Sequence, residues 1–265
     1  MRRTAAVLLG LIVVALLFAG KIAPHSYAEQ FREMPNAAPS ARFLLGSDGL
    51  GRDRFARMLY GGRTSLLFAP AAAVLSTLLA LAIGLAAGSL GVRAERMAAS
   101  LADLCLSLPW LFALLAARAL LPLNASPSQS VAITFGLLGL LGWAGPCRIV
   151  MAAVKRHMHS EFASFAIAMG CPRWRVALVH VLPHLTSLAV AQFLITAPAF
   201  LLAEANLGLL GLGIPEPAPS WGGMLRELEN LPSAVAHPWI LAPAILLFLV
   251  TGCCHLLVSA DKASV

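Results

Sequence analysis

Charge is what this sequence has least of. Only 12% of its 265 residues are Asp, Glu, Lys or Arg, about half the share of an ordinary soluble domain. That scarcity, with a mean hydropathy of +0.83, excludes a well-solvated globular surface. Charged residues are absent altogether from 4–20, 64–92, 119–147, 176–203 and 230–260. A sixth stretch, 100–121, is apolar apart from Asp103 and Arg118. A helix that crosses a bilayer needs ~20 mainly apolar residues. The pattern predicts an all-α polytopic membrane protein with six transmembrane helices. The spans fall at about 4–20, 64–88, 100–121, 131–153, 185–204 and 239–259, within one transmembrane domain over 1–265.

Other absences narrow the function. The five cysteines, an odd number, lack framework spacing, so a disulfide scaffold is excluded and buried small hydrophobes are expected. No GxxxxGK[ST] loop occurs, so the chain does not itself hydrolyse ATP. No nucleophile–base pair or facing aspartates suggest an intramembrane enzyme, and no catalytic residue is assigned. His157 and His159 are two apart and do not share a helix face; Cys253, Cys254 and His255 are adjacent. Neither set predicts a metal site, and no cofactor is expected. No internal repeat is visible, and the longest polar stretches are loops at 21–63 and 204–239. An ion-coupled secondary transporter or channel would usually show an inverted repeat and a midplane ionisable group. It stays as the alternative function.

The net charge of +7 is informative through its placement. With the N-terminus in the cytoplasm, the inside segments carry ten basic and three acidic residues, the outside segments eight of each. Cytoplasmic loops collect Lys and Arg, so both termini are placed inside and nucleic acid is excluded as a partner. Against this, seven of the eight outside basic residues lie in the first outside loop, about 21–63. The apolar run after Arg2-Arg3 reads as an uncleaved anchor, with a cleaved signal peptide ending near Ser26-Tyr27-Ala28 as the alternative.

Three segments look built for a purpose. In "FLLGSDGLGRDRFARMLYGGRTSLL", residues 43–67, Phe55, Met58 and Leu59 fall at i, i+3 and i+4, while Arg52, Arg54 and Arg57 take other faces. That spacing predicts a short amphipathic helix on the membrane surface, ended by a turn at Gly61-Gly62; a solvated basic loop is the alternative. In "AEANLGLLGLGIPEPAPSWGGML", residues 203–225, Gly208, Gly211, Gly213 and three prolines oppose a regular helix. A loop dipping toward the external mouth of a translocation path accounts for them, with an ordinary surface loop as the alternative. Asp103 is expected to snorkel to the cytoplasmic surface. Arg118 either snorkels outward or faces the path to meet an anionic substrate group.

The third segment is "EFASFAIAMGCPRWRVALVHVLPH", residues 161–184. Phe162, Phe165, Ala166 and Met169 share a helix face, Gly170 supplies a left-handed cap, and Pro172 starts a second helix that Leu182-Pro183 ends. Two helices too short to cross a bilayer make a bracket bent outward at 170–172. Its Arg173, Trp174 and Arg175 suit either a protein-docking surface or an anchor on anionic lipid.

This segment resembles the cytoplasmic signature loop of ABC importer permeases, with Gly170 and Leu182-Pro183 at matching spacing. Where the signature usually begins Glu-Ala-Ala, this chain has Ser164-Phe165-Ala166. The segments at 43–67 and 203–225 are similar to the two hallmark segments of the dipeptide/oligopeptide/nickel permease family, and the likeness runs from about 43 to 250. The resemblance implies a type I ABC importer permease fold in a bacterial inner membrane. It implies a second homologous permease subunit, two cytoplasmic ATPase subunits and an extracytoplasmic substrate-binding protein as partners, besides membrane lipid. The hairpin at 155–184 would be the coupling element, with Glu161, Ala166, Gly170, Cys171, Pro172, Arg173, Trp174 and Arg175 meeting an ATPase. Arg118, Glu204, Gly208, Gly211, Gly213 and Trp221 would lie along the path or at its external mouth.

Overall fold

A computed structural model of the chain describes residues 2–119 and 126–262. The described residues are helix and loop, with one isolated antiparallel bridge between Ser47 and Asp53. The helices are α1 (Arg2–Leu17), α2 (Arg54–Leu90), α3 (Val92–Ser107), α4 (Trp110–Ala119), α5 (Pro127–Leu141), α6 (Ala144–Met158), α7 (Glu161–Ala168) and α8 (Arg173–Leu209). They are followed by α9 (Trp221–Leu225), α10 (Leu231–Ala236) and α11 (Ala242–Lys262).

Four helical runs are long and apolar enough to cross a membrane: Arg54–Leu90, Pro127–Met158, Arg173–Leu209 and Pro238–Val258. The pair α3 and α4 is apolar enough to be a broken span or a re-entrant loop, and Arg3–Leu17 is a shorter apolar helix. Each of the six apolar stretches thus has a helical counterpart. The stretch 100–121 is not one straight rod, because the pair bends by 85° at its break. Leu108 stands extended (φ −81°, ψ 130°) before Pro109, the conformation that a following proline imposes.

Two expected breaks are helical instead. Gly61-Gly62 lies inside α2, because the Trp221 ring covers this spot: a Cβ on Gly62 would meet it at 2.6 Å. The glycines are there for contact, not for a turn. Pro183 does not end α8. A π-turn at Ala177–Val181, closed by Leu182 N–H donating to Ala177 O, leads into a 3-10 turn at Leu182–Leu185, and α-helix then resumes. The widened turn accommodates a ring that would clash with the carbonyl one turn back.

The chain divides into two compact units. In Ala71–Ala117 with Gly136–Thr196, α2 and α6 approach closely. Cβ atoms built on Gly84 and Gly88 would lie 2.6 Å from Val150 and Val154. This Gly-x-x-x-Gly contact suits a bilayer, where packing rather than hydrophobic transfer holds helices together. Arg148 pairs with Asp103 at 2.9 Å and Lys155 with Glu95 at 2.8 Å, tying α6 to α3. Asp103 therefore has a cationic partner, which its own span did not offer. Val154, Met158, Ala163, Val176, Val181 and Leu185 form a buried core under α7.

The other unit, Met1–Pro70 with Arg118–Phe135 and Ala197–Val265, packs α1 against α11. Val7, Leu11 and Val14 of α1 and Ile245 and Phe248 of α11 remain exposed, as lipid-facing positions do.

Candidate functional site

The hairpin is built by two local devices. Ser160 caps α7, its Oγ accepting from Ala163 N–H at 3.4 Å. At the far end Cys171 N–H donates to Ala166 O and Gly170 N–H to Ile167 O, both at 3.0 Å. That pair of bonds is the Schellman arrangement. It places Gly170 at φ +89°, a region costing a Cβ-bearing residue ~1–2 kcal/mol. Pro172 then stands extended as the residue before α8.

The apolar residues of α7 divide between two faces. Ala163, Ala166 and Ile167 pack on the buried core, whereas Phe162, Phe165 and Met169 point outward, 58%, 67% and 74% exposed. Trp174 joins them at 53%, with the Arg175 guanidinium 5.5 Å from its ring. Three large apolar side chains and a tryptophan thus crown the bend. Glu161 is exposed in the first turn of α7, where its charge complements the helix dipole. Arg173 turns away from the crown: its Nε donates to Ser89 O at 2.9 Å, capping the end of α2.

A second constellation joins the other two segments. Asp48 Oδ1 accepts from Leu50 N–H at 2.9 Å and Arg52 N–H at 2.8 Å, while its Oδ2 accepts from Arg52 Nε at 2.6 Å. Arg52 reaches on to Glu216 at 2.5 Å, and Arg57 donates to the same carboxylate at 2.8 Å. Arg54 pairs with Glu227 and donates to Ser47 O at 2.8 Å. Asp53 caps α2 by accepting from Phe55 N–H at 2.9 Å, and His25 sits 2.9 Å from its other oxygen. Burial works against the Arg52 charge, but hydrogen bonds to Glu216 and Asp48 outweigh it and hold its pKa above the ordinary value. The arginines expected on a membrane surface are buried instead, because carboxylates some 160 positions later in the chain close over them.

Backbone contact completes this clamp. Trp221 is fully buried, its Nε1–H donating to Met58 O at 3.0 Å. Gly208, in the last turn of α8, faces Gly222 so closely that a Cβ would lie 2.1 Å from it. Gly211 (φ +74°) ends α8 with the same Schellman pair, Leu212 N–H to Leu207 O and Gly211 N–H to Gly208 O. Gly213 packs on Gly208. Buried Glu204 accepts from Ser65 Oγ at 3.1 Å, with Ser220 and Gly222 as its other polar neighbours. The structure therefore brings Glu204, Gly208, Gly211, Gly213 and Trp221 together. The side chain of Arg118 lies outside the described residues. Sequence reasoning missed Asp48, Glu216, Glu227 and Ser65 as partners; the equal count of acids and bases in these loops was the one available signal. No group of three His, Cys, Asp or Glu side chains placed for a metal ion occurs among the described residues.

The geometry is that of a helical chain with at least four runs able to cross a membrane and an exposed apolar bend. Residues 80–260 match the family model of the binding-protein-dependent transport system inner membrane component. The chain is 34% identical over 226 residues to the di/tripeptide transport system permease protein DppC of Pseudomonas aeruginosa, covering 83% of this chain and 73% of that protein. It is 29% identical over 250 residues to the oligopeptide transport system permease protein OppC of Haemophilus influenzae, covering 93% and 78%. To the dipeptide transport system permease protein DppC of Bacillus subtilis it is 31% identical over 235 residues, covering 87% and 71%. The chain belongs to this family of ABC importer permeases, in its peptide branch. It is a multi-pass inner-membrane component that works with ATPase subunits and a substrate-binding protein, and ATP hydrolysis lies in the ATPase subunits.

Proposed function

We propose that this chain is one of two homologous permeases in an ATP-driven importer of short peptides. Two cytoplasmic ATPases power it, and an external binding protein delivers cargo. The names of three relatives, for di/tripeptides, oligopeptides and dipeptides, support the cargo class. Both termini and the hairpin face the cytoplasm, as the Lys and Arg placement favours. The coupling reading rests on the exposed apolar crown of Phe162, Phe165, Met169 and Trp174, held on a rigid bend. A solvated loop has no reason to present such a surface; a groove on an ATPase supplies one. Glu161, Gly170, Cys171, Pro172 and Arg175 form the flanks of that contact, with Ala166 packed beneath it and Arg173 tied to the end of α2. The clamp of Glu204, Gly208, Gly211, Gly213 and Trp221 frames the external mouth.

The test is uptake of a labelled tripeptide by proteoliposomes holding both permeases, the ATPases and the binding protein. Trp174→Ala removes an interface tryptophan, whose loss typically costs ~2 kcal/mol or more, so ATPase retention should fall about thirtyfold with membrane insertion intact. Unchanged co-purification and uptake would remove the hairpin from coupling. Uptake that persists without ATP on an ion gradient would instead favour a secondary transporter.

A further inference from the structure

At the root of the hairpin two cavities of about 380 and 630 Å³ open side by side. They share His157, at the end of α6, and His184, in the 3-10 turn of α8. The two imidazoles stack with centroids 5.8 Å apart and planes 12° from parallel. His180 and Ser160 line the smaller cavity, Arg156 and Ser187 the larger. Among the described residues no acidic side chain lines either one. Arg156 is exposed and has no ion pair among the described residues, whereas neighbouring Lys155 is engaged with Glu95. Glu161, the nearest carboxylate in the chain, is not among the lining residues. His157 Nδ1–H donates to the Ala153 carbonyl at 2.8 Å, which fixes the ring in the wall the two cavities share.

The remaining walls of the larger cavity are apolar: Ile149, Leu185 and Leu188. They belong to Pro127–Met158 and Arg173–Leu209, two of the runs able to cross a membrane. One arginine and two imidazoles, with no carboxylate beside them, above an apolar slot at the end of two spans have the chemistry of a lipid site. We propose that these cavities hold an anionic phospholipid, its phosphate against Arg156, His157 and His184 and its acyl chain along Ile149, Ala152 and Leu188. A free phosphate would use the rim and leave the apolar slot wet. An ATPase is the poorer occupant, since Met169 and Trp174 of the crown lie beyond the opposite end of α7, ~12 Å away for eight residues, and Phe162 alone edges the smaller cavity, against His180. The inference rests on the cytoplasmic placement proposed above, which puts the root at the inner-leaflet headgroups. A lipid seated there would brace α7 against α8 behind the bend.

The assembled importer, carried in nanodiscs of phosphatidylcholine with a minor share of phosphatidylglycerol, is transferred to mild detergent, and the retained lipid is counted by mass spectrometry. Wild type should retain phosphatidylglycerol in preference to phosphatidylcholine. Arg156→Gln should lower that retention about fivefold, the worth of one surface cation against anionic lipid, and Arg156→Lys should restore most of it. Adding His184→Gln should lower it further. Arg156 is exposed and without an ion pair among the described residues, so these variants keep the fold; an unchanged melting midpoint checks this. Equal retention in wild type and the Arg156→Gln, His184→Gln double variant overturns the proposal. So does displacement of the lipid by inorganic phosphate, which would make the rim a free-anion site. The readout is independent of cargo and ATP. Labelling of Cys171 by an impermeant maleimide in intact cells would show separately that the topology, not the site, is at fault.

Discussion

Glu216→Gln measures what the clamp's charges contribute. The Arg52 and Arg57 side chains are only 8% and 6% exposed, so water hydrates them poorly. The substitution keeps shape and removes the charge that accepts from Arg52 at 2.5 and 3.3 Å and from Arg57 at 2.8 Å. Breaking a fully buried pair costs ~3–5 kcal/mol. Here Asp48 still holds Arg52 at 2.6 Å and lies 3.8 Å from Arg57, and Glu216 is 59% exposed, so solvent can follow the lost carboxylate. About 2 kcal/mol is expected, a fall of about 4–8 °C in the melting midpoint of the detergent-purified chain. Glu95→Gln is the internal control. It breaks the Lys155 pair, whose side chains are 54% and 32% exposed, and an exposed pair is worth ~0–1 kcal/mol. If both variants melt alike, burial is not what gives the clamp its strength. If combining Glu216→Gln with Arg57→Gln costs the sum of the two single changes, the contact itself contributes nothing.

Three further perturbations read single contacts. Gly170→Ala meets open space but keeps φ +89°; it should lower stability by ~1–2 kcal/mol and reduce tripeptide uptake, while Gly170→Asn, which tolerates that backbone, stays closer to wild type. Gly88→Leu should collide with Val154 and cost ~1–3 kcal/mol of overpacking, with Val154→Ala restoring part of the melting midpoint. Gly208→Ala places a methyl 2.1 Å from Gly222 backbone that cannot yield as a side chain would. It should open the clamp and expose the chain to trypsin at Arg226, and resistance equal to wild type would refute the close approach.

What could be read in advance follows from how local each cause is. The six apolar stretches and the Gly170 cap depend on composition and on bonds within six residues, so the sequence carries them openly. The same local logic misjudged Gly61-Gly62, since nothing near those residues says that Trp221 will lie over them. The buried arginines failed for the same reason. Three cations around a short apolar stripe look like a surface helix until Glu216 and Glu227, far along the chain, close over them. Gly84 and Gly88 were legible and went unread, because spacing shows a helix contact without naming Val150 and Val154 as its other half.

Helix that continues through Pro183 decides how a push at the bend would travel. A proline that ended the second hairpin helix would leave a joint between hairpin and span. Arg173–Leu209 is instead one helical run, so displacement at Gly170 enters the span directly. The run is softest where its hydrogen bonding is irregular, at the π-turn and 3-10 turn over 177–185. That soft stretch also carries His180 and His184, the walls of the proposed lipid site. The Arg173 bond to Ser89 ties the near side of that turn to the end of α2.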